Sequence, residues 1–253
     1  MKLNNINLNK EYINNILNIE YTNYKYSQFR FLYQHLLKNH NKIKGDIIEL
    51  GVYNGRSLLT IAIILKKLKS KKLIYGFDTF SGFPKTNIKD RLINFKNKNF
   101  FEKKHYEEFK LNKKIKKKLI DTKISVNNIS TSANFGSSNL KTFKKKIKLL
   151  KLNNVKLIKG NICKTLPIFF KKNPKFKVFS CNFDVDLYQP YKIALPLIWN
   201  KLEKKGYVHL DEYFSLKFPG PRIATNEFIK FKKIKIKRNT TRLNEFKRYY
   251  LQK

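Results

Sequence analysis

Acidic residues are scarce in this chain, 17 Asp and Glu against 56 Lys and Arg, yet several stand where a ligand would meet them. Asp184-Val185-Asp186 and Asp211-Glu212 each close a short apolar run. Glu49 lies at the end of Asp46-Ile47-Ile48-Glu49-Leu50, and Asp78 ends Lys72-Leu73-Ile74-Tyr75-Gly76-Phe77. In open α/β sheets, ligands bind beyond the carboxyl ends of the strands. A lone carboxylate there reads equally well as a turn residue or a helix N-cap, and Asp186 also suits the cap of a helix beginning near Pro190. Their joint placement is what marks a site. Carboxylates gathered in this way can accept a proton from a nucleophile or face a cationic group.

The loop Gly51-Val52-Tyr53-Asn54-Gly55 sits between the first such strand and an apolar helix, where glycines let backbone N–H groups approach a ligand. Its spacing is not G-x-G-x-x-G, which argues against a nicotinamide dehydrogenase, and no Gly-Lys-Ser/Thr follows to make a phosphate loop. An acidic residue before the glycines and another at the end of the next strand suit a ligand with a cationic centre and a ribose diol. S-adenosylmethionine is a ligand of that kind.

Positioning these residues requires alternating strands and helices. Asp46–Leu50, the helix Ser57–Leu68 and the strand ending at Asp78 form a βαβ unit, which implies a parallel sheet. Regular alternation resumes with a helix over Leu140–Leu152, a strand over Val155–Lys159, a helix over Lys164–Lys171 and a strand over Lys177–Phe183. Helices over Pro190–Leu202 and Pro221–Phe231 flank a strand at Tyr207–Leu210, set off by Gly206. Lys233–Lys237 and Phe246–Leu251 suit a terminal antiparallel hairpin. Residues 8–41 carry helical spacing and form an N-terminal layer (1–42). Residues 85–138, with the polar run Ser130–Asn139, read as an insertion and a lid over the site. The expectation is one doubly wound α/β domain over 1–253 with no internal repeat.

Hydrophobic residues at 42% supply a core and exclude wholesale disorder. No run reaches the length of a membrane helix, and the N-terminal residues lack an apolar signal core. Cys163 and Cys181 lack zinc-ligand spacing and cannot form a disulfide framework. A cytoplasmic protein is expected. The formal charge of +39 invites a nucleic-acid partner, but 49 of the basic residues are Lys and only 7 are Arg, beside 29 Asn, 27 Ile and 4 Ala. Lys, Asn and Ile share AT-rich codons, so drift in base composition accounts for the excess, with a surface selected for polyanions as the alternative. Phosphate and base recognition favours the planar Arg fork. Charge of this size still gives salt-sensitive adhesion to polyanions.

Several blocks together resemble one family. Gly45-Asp46-Ile47-Ile48-Glu49-Leu50-Gly51-Val52-Tyr53-x-Gly55-x-Ser57 and Gly76-Phe77-Asp78-Thr79-Phe80-x-Gly82-Phe83-Pro84 are followed by Lys159-Gly160-Asn161 and by Asp184-Val185-Asp186-Leu187-Tyr188-Gln189-Pro190. Lys205-Gly206-Tyr207-Val208-His209-Leu210-Asp211-Glu212-Tyr213, Pro219-Gly220 and Asn226-Glu227-Phe228 complete the series. In order and at compatible spacing over about 43–231, they resemble the macrocin O-methyltransferases, which use S-adenosylmethionine.

The resemblance implies a class I methyltransferase (Rossmann-like) fold with a seven-stranded sheet whose last strand is antiparallel. It implies that Glu49, Gly51, Gly55 and Ser57 line the methionine end of S-adenosylmethionine, with Asp184 nearby. Asp78 would hold the ribose hydroxyls beside Thr79 and Ser81, and Asn161 would lie against the adenine. It implies a magnesium ion on Asp184, Asp211 and Glu212, an all-oxygen set that suits a hard cation. Asp186 is then the candidate base, with Asp184 sharing the role, in an O-methyltransferase acting on a hydroxyl of a sugar, glycan or small molecule. His209 shares a strand face with Asp211 and reads as a buried structural histidine. A homo-oligomer stays open, since relatives often assemble.

Two rival classes are a nucleic-acid methyltransferase and a non-catalytic polyanion binder on the same fold. The first lacks an Asn/Asp-Pro-Pro-aromatic motif here. The second is disfavoured by carboxylates that would repel phosphate.

Overall fold

The central strands are short and apolar on both sides, the pattern of strands covered by helices on both faces. The computed structural model describes residues 10–243 and 245–253. Strands β1 (Asp46–Leu50), β2 (Ile74–Asp78), β3 (Val155–Lys159), β4 (Val178–Phe183) and β5 (Leu202–Leu210) pair in parallel. β7 (Tyr249–Gln252) runs antiparallel between β5 and the two-residue β6 (Lys237–Arg238). The order is β3-β2-β1-β4-β5-β7-β6, the class I methyltransferase sheet with its antiparallel last strand. The chain winds outward from β1 to β3, then returns to β4. A crevice therefore opens between the carboxyl ends of β1 and β4.

Alternation along the strands, shifted in β4 by a bulge between Val178 and Ser180, divides the interior into two cores. Ile47 and Phe179 pack with α2 (Arg30–Asn39) and α3 (Arg56–Lys67), whereas Ile48, Leu50, Cys181 and Phe183 pack with α6 (Ile162–Lys172), α7 (Tyr188–Lys201) and α8 (Gly220–Lys232). Glu49 shares the Ile47 side and so points beneath α3.

The boundaries differ from the sequence reading where local chemistry intervenes. The stretch 8–41 divides into α1 (Lys10–Leu17), a 3-10 turn at Tyr24–Tyr26 and α2, because Asn18 turns left-handed at φ 53°; residues 8 and 9 lie outside the described residues. Helix α6 starts two residues early, at Ile162, and α7 starts at Tyr188, since proline is tolerated in a first turn. β5 begins at Leu202, directly after α7, with Gly206 inside it rather than before it. α8 ends at Lys232 and is capped by Lys233, left-handed at φ 52°, which moves β6 to Lys237–Arg238.

Glu20 fastens the N-terminal layer. Its backbone N–H donates to Thr60 Oγ1 at 2.9 Å, its carboxylate accepts from the Tyr33 hydroxyl at 2.9 Å and from Ser27 Oγ, and Arg56 Nε lies 2.6 Å from its Oε1. This anchoring sets Gln28 and Phe29 over the crevice. Within the insertion, α4 (Lys103–Leu119) packs on Phe95 through His105 and Phe109, and α5 (Leu140–Leu149) follows it. Phe95, Phe101, Ile124, Val126 and Ile129 are buried and join the α7/α8 core. The insertion is thus folded onto the domain. No helix among the described residues is long and apolar enough to cross a membrane.

Candidate active site

At the end of β1 the chain turns left-handed at Gly51 (φ 85°), and a Cβ there would lie 1.7 Å from the carbonyl oxygen of Asp184. The glycine lets β4's continuation pass against the loop. Gly55, also left-handed (φ 80°), is different: its missing Cβ makes room for Phe143 of α5, whose Cε2 would stand 1.9 Å away. Asp78, at the end of β2, holds this loop in place. Its Oδ2 accepts from the backbone N–H of Val52 (2.7 Å) and Tyr53 (2.8 Å), and its Oδ1 from that of Phe80 (2.6 Å).

A cleft of about 450 Å³ opens over these turns, within the range of small-molecule sites. Gly51, Ser57, Asp78, Thr79, Asn161, Asp184, Asp186 and Asp211 line it, together with Phe29 of the N-terminal layer and Ser130–Ser132 and Phe135 of the insertion. Asn161 also caps α6, accepting from the Cys163 N–H at 2.9 Å. Four candidates stand apart from the lining, among them Glu212, which lines an adjoining recess instead. Ser81 is exposed, Gly55 packs on Phe143, and Glu49 lies fully buried under the loop. There Glu49 Oε1 accepts from the Ser57 hydroxyl at 2.6 Å, while its Oε2 has no hydrogen-bond partner. Burial, reinforced by Asp184, holds the Glu49 carboxyl well above the usual carboxylate range.

The acidic residues form two groups. Asp184, Asp186 and Glu212 each place an oxygen within 4.8 Å of the others. Burial and then the neighbouring Asp211 push Asp184 up to about 7. Burial and mutual repulsion hold Asp186 and Glu212 well above the carboxylate range. Glu212 Oε2 accepts from the Tyr191 hydroxyl, and its Oε1 is buried without a partner. Asp186 sits in a left-handed conformation at φ 60°, unusual for a residue with a side chain. It does not cap α7: Leu187 occupies that position, and the Tyr188 N–H is taken by Asp90 at 2.6 Å.

Asp211 turns elsewhere. Its Oδ1 lies 3.3 Å from Arg248 Nη1 and 3.6 Å from Nε2 of the fully buried His209. Burial works to raise it, yet these two neighbours hold Asp211 below the usual range. Sequence reasoning missed three residues of the site. Lys217 lines the cleft and offsets the acidic group, Arg248 pairs Asp211, and Asp90 caps α7. Only Asp90 carried a signal, the Asn87-x-x-Asp90 spacing of a capping box.

A profile of the macrocin-O-methyltransferase (TylF) family matches residues 26–250. The chain belongs to that family. It is a methyltransferase, and the family's activity is O-methylation. The calicheamicin methyltransferase CalS11 shares the fold with a TM-score of 0.63 at 21% identity, over 97% of this chain and 80% of that one. Its apo form, described as a TDP-rhamnose 3'-O-methyltransferase, aligns with a TM-score of 0.56 at 23% identity, over 98% of this chain and 88% of that one. The O-methyltransferase NovP gives 0.61 at 16% identity, over 90% and 78%. No curated protein matches this methyltransferase by sequence.

Proposed function

We propose that this methyltransferase moves a methyl group from S-adenosylmethionine to a hydroxyl of a sugar or other small molecule in the cytoplasm, assisted by a divalent cation such as magnesium. The observation that carries the reading is the juxtaposition of the cleft over Gly51 and Asp78 with the half-buried Asp184 and the buried Asp186 and Glu212. The described sugar substrate of CalS11 supports a glycosyl acceptor.

The residues suit both groups. The cleft has the size of a nucleoside site, and Asp78 stands at its β2 end, where a ribose diol would meet a carboxylate. Three close, all-oxygen donors with one buried, unpartnered oxygen on Glu212 suit a hard cation. We assign the cation to Asp184, Asp186 and Glu212, with Asp211 tied back by Arg248. When bound, the cation supplies Lewis acidity that lowers the pKa of an acceptor hydroxyl.

The chain's own residues do the rest. Asp186, which lines the cleft from a left-handed backbone, would lend one carboxylate oxygen to the cation and take the acceptor's hydroxyl proton on the other. Asp78 fixes the glycine loop and so the line of approach between donor and acceptor. Phe29 and Phe135 keep water from the reacting atoms. Calorimetric titration with S-adenosylhomocysteine, with and without magnesium and at high salt to suppress adhesion, tests the reading. Micromolar binding is expected; no binding in either condition overturns it.

A further inference from the structure

Helix α4 presents an apolar row to solvent. Leu111, Ile115 and Leu119 are 60%, 52% and 72% exposed, on three successive turns, while His105 and Phe109 bury the adjoining face. Four-residue spacing keeps the row on one side over roughly 12 Å of helix. The same helix carries eight lysines and two glutamates, in KKHYEEFKLNKKIKKKL. An aliphatic stripe bordered by lysines, on a helix already anchored by its other face, is the pattern of an interfacial helix on an anionic lipid surface.

We propose that α4 is a membrane-docking surface, with its aliphatic row entering the headgroup layer of an anionic bilayer and its lysines facing the lipid phosphates. Other occupants fit less well. A nucleic acid rewards the lysines but gains nothing from three aliphatic side chains, and only 7 of the 56 basic residues are Arg. A second copy would bring two such lysine-rich helices together against their own repulsion. Lipid uses both parts of the pattern at once.

The position of α4 gives the docking a consequence for the site. Asn112, beside the row, donates to the Leu216 carbonyl at 2.9 Å. It lines a second recess of about 320 Å³ with Phe246, and this recess shares Asp186, Asp211 and Lys217 with the main cleft. Docking sets the recess beside the bilayer. On the methyl-transfer reading above, on which this step rests, the acceptor is then a hydroxyl compound carried at the lipid surface.

The test is flotation of the full chain with phosphatidylglycerol-containing or pure phosphatidylcholine vesicles at roughly 0.15 M salt, where diffuse surface charge is screened beyond about 8 Å. It is read without donor or acceptor, so its outcome is separate from that of the S-adenosylhomocysteine titration. The expected result is recovery with the anionic vesicles alone, weakened more than tenfold in L111N/I115N/L119N although every lysine remains. In Ile115→Trp, the indole emission should shift to the blue on binding. The changed positions are exposed, so thermal melting and S-adenosylhomocysteine affinity should stay as in the parent. Failure of the parent to float, or equal flotation of the triple variant, overturns the proposal. So does a halving of the parent's scattering mass in that variant, which would assign the row to a second copy.

Discussion

Asp90 and Tyr188 lie 98 positions apart, and the Tyr188 backbone N–H donates to Asp90 Oδ1 at 2.6 Å. This bond ties the insertion to the start of α7, directly after the Asp184-Val185-Asp186 turn. A Cβ on Gly220 would come within 2.1 Å of the same Asp90 oxygen, so α8 is fitted around it as well. The insertion therefore takes part in holding the acidic turn.

Asp90→Ala removes a buried cap acceptor and leaves the Tyr188 N–H without a partner. The expected loss is about 2 kcal/mol of stability, read by denaturant titration, with a fall in kcat because the Asp186 turn loses its support. Asp90→Asn keeps one acceptor and should lose less. A loss below roughly 0.5 kcal/mol in Asp90→Ala would show that the insertion merely rests on α7.

Gly51→Ala should be among the most damaging single changes in the chain. Its left-handed backbone disfavours a side chain, and the atom in the way is a backbone oxygen of Asp184, which cannot swing aside. A loss on the order of 3 kcal/mol or more is expected. At Gly55 the obstacle is the Phe143 ring, a side chain able to shift, so Gly55→Ala should cost less. Equal melting temperatures for the two variants would contradict the distinction.

The strand-end carboxylates were legible because so few acidic residues exist to distribute, and the order of strands followed from apolar runs. The division of the acidic residues into a trio and a pair was not legible. It depends on which way each leaves its strand. The pairing of Leu210 with Tyr249 across β5 and β7 brings Arg248 alongside Asp211, and the Lys247-Arg248-Tyr249-Tyr250 run carries no mark of that register. The cap on α7 was hidden for the same reason, since Asp90 reaches it only through the tertiary fold. The roles of Gly51 and Gly55 likewise depend on neighbours far along the chain.

The trio and the pair make separable predictions for magnesium. Asp184→Asn and Glu212→Gln should each weaken magnesium binding by roughly a hundredfold and abolish cation-dependent transfer. Asp211→Asn should stay within about tenfold of the parent in magnesium affinity, because its oxygen is engaged by Arg248. Calorimetric magnesium titration separates the cases. If Asp211→Asn matches Asp184→Asn, then Asp211 leaves Arg248 to join the cation.

Acid stability should depend on His105. Its ring lies among Phe95, Phe101 and Phe214, with Nε2 positioned to donate to the Ser215 carbonyl at 2.8 Å and Nδ1 facing Arg222 Nη1 at 3.2 Å. A neutral ring protonated on Nε2 satisfies both neighbours, since the Arg222 guanidinium can only donate. Burial is the main cause that lowers His105 to about 4, and Arg222 adds to it. Burial likewise lowers His35 to about 4 between Phe179 and Tyr207. Between the unfolded value of about 6.5 and the folded value, the unfolded chain binds more protons than the folded one. The stability these rings contribute is therefore complete above about pH 6.5 and drains away as the pH falls toward 4, at up to about 1.4 kcal/mol per pH unit for each ring. Asp184, raised rather than lowered, runs the other way over part of the same range. The informative quantity is therefore the difference between the parent and His105→Gln, in which the carboxylates cancel. Thermal melting from pH 7 to pH 4 should show a smaller acid loss in His105→Gln and a smaller one still in H35Q/H105Q. Parallel curves for parent and variants would mean that neither ring is held neutral by the fold.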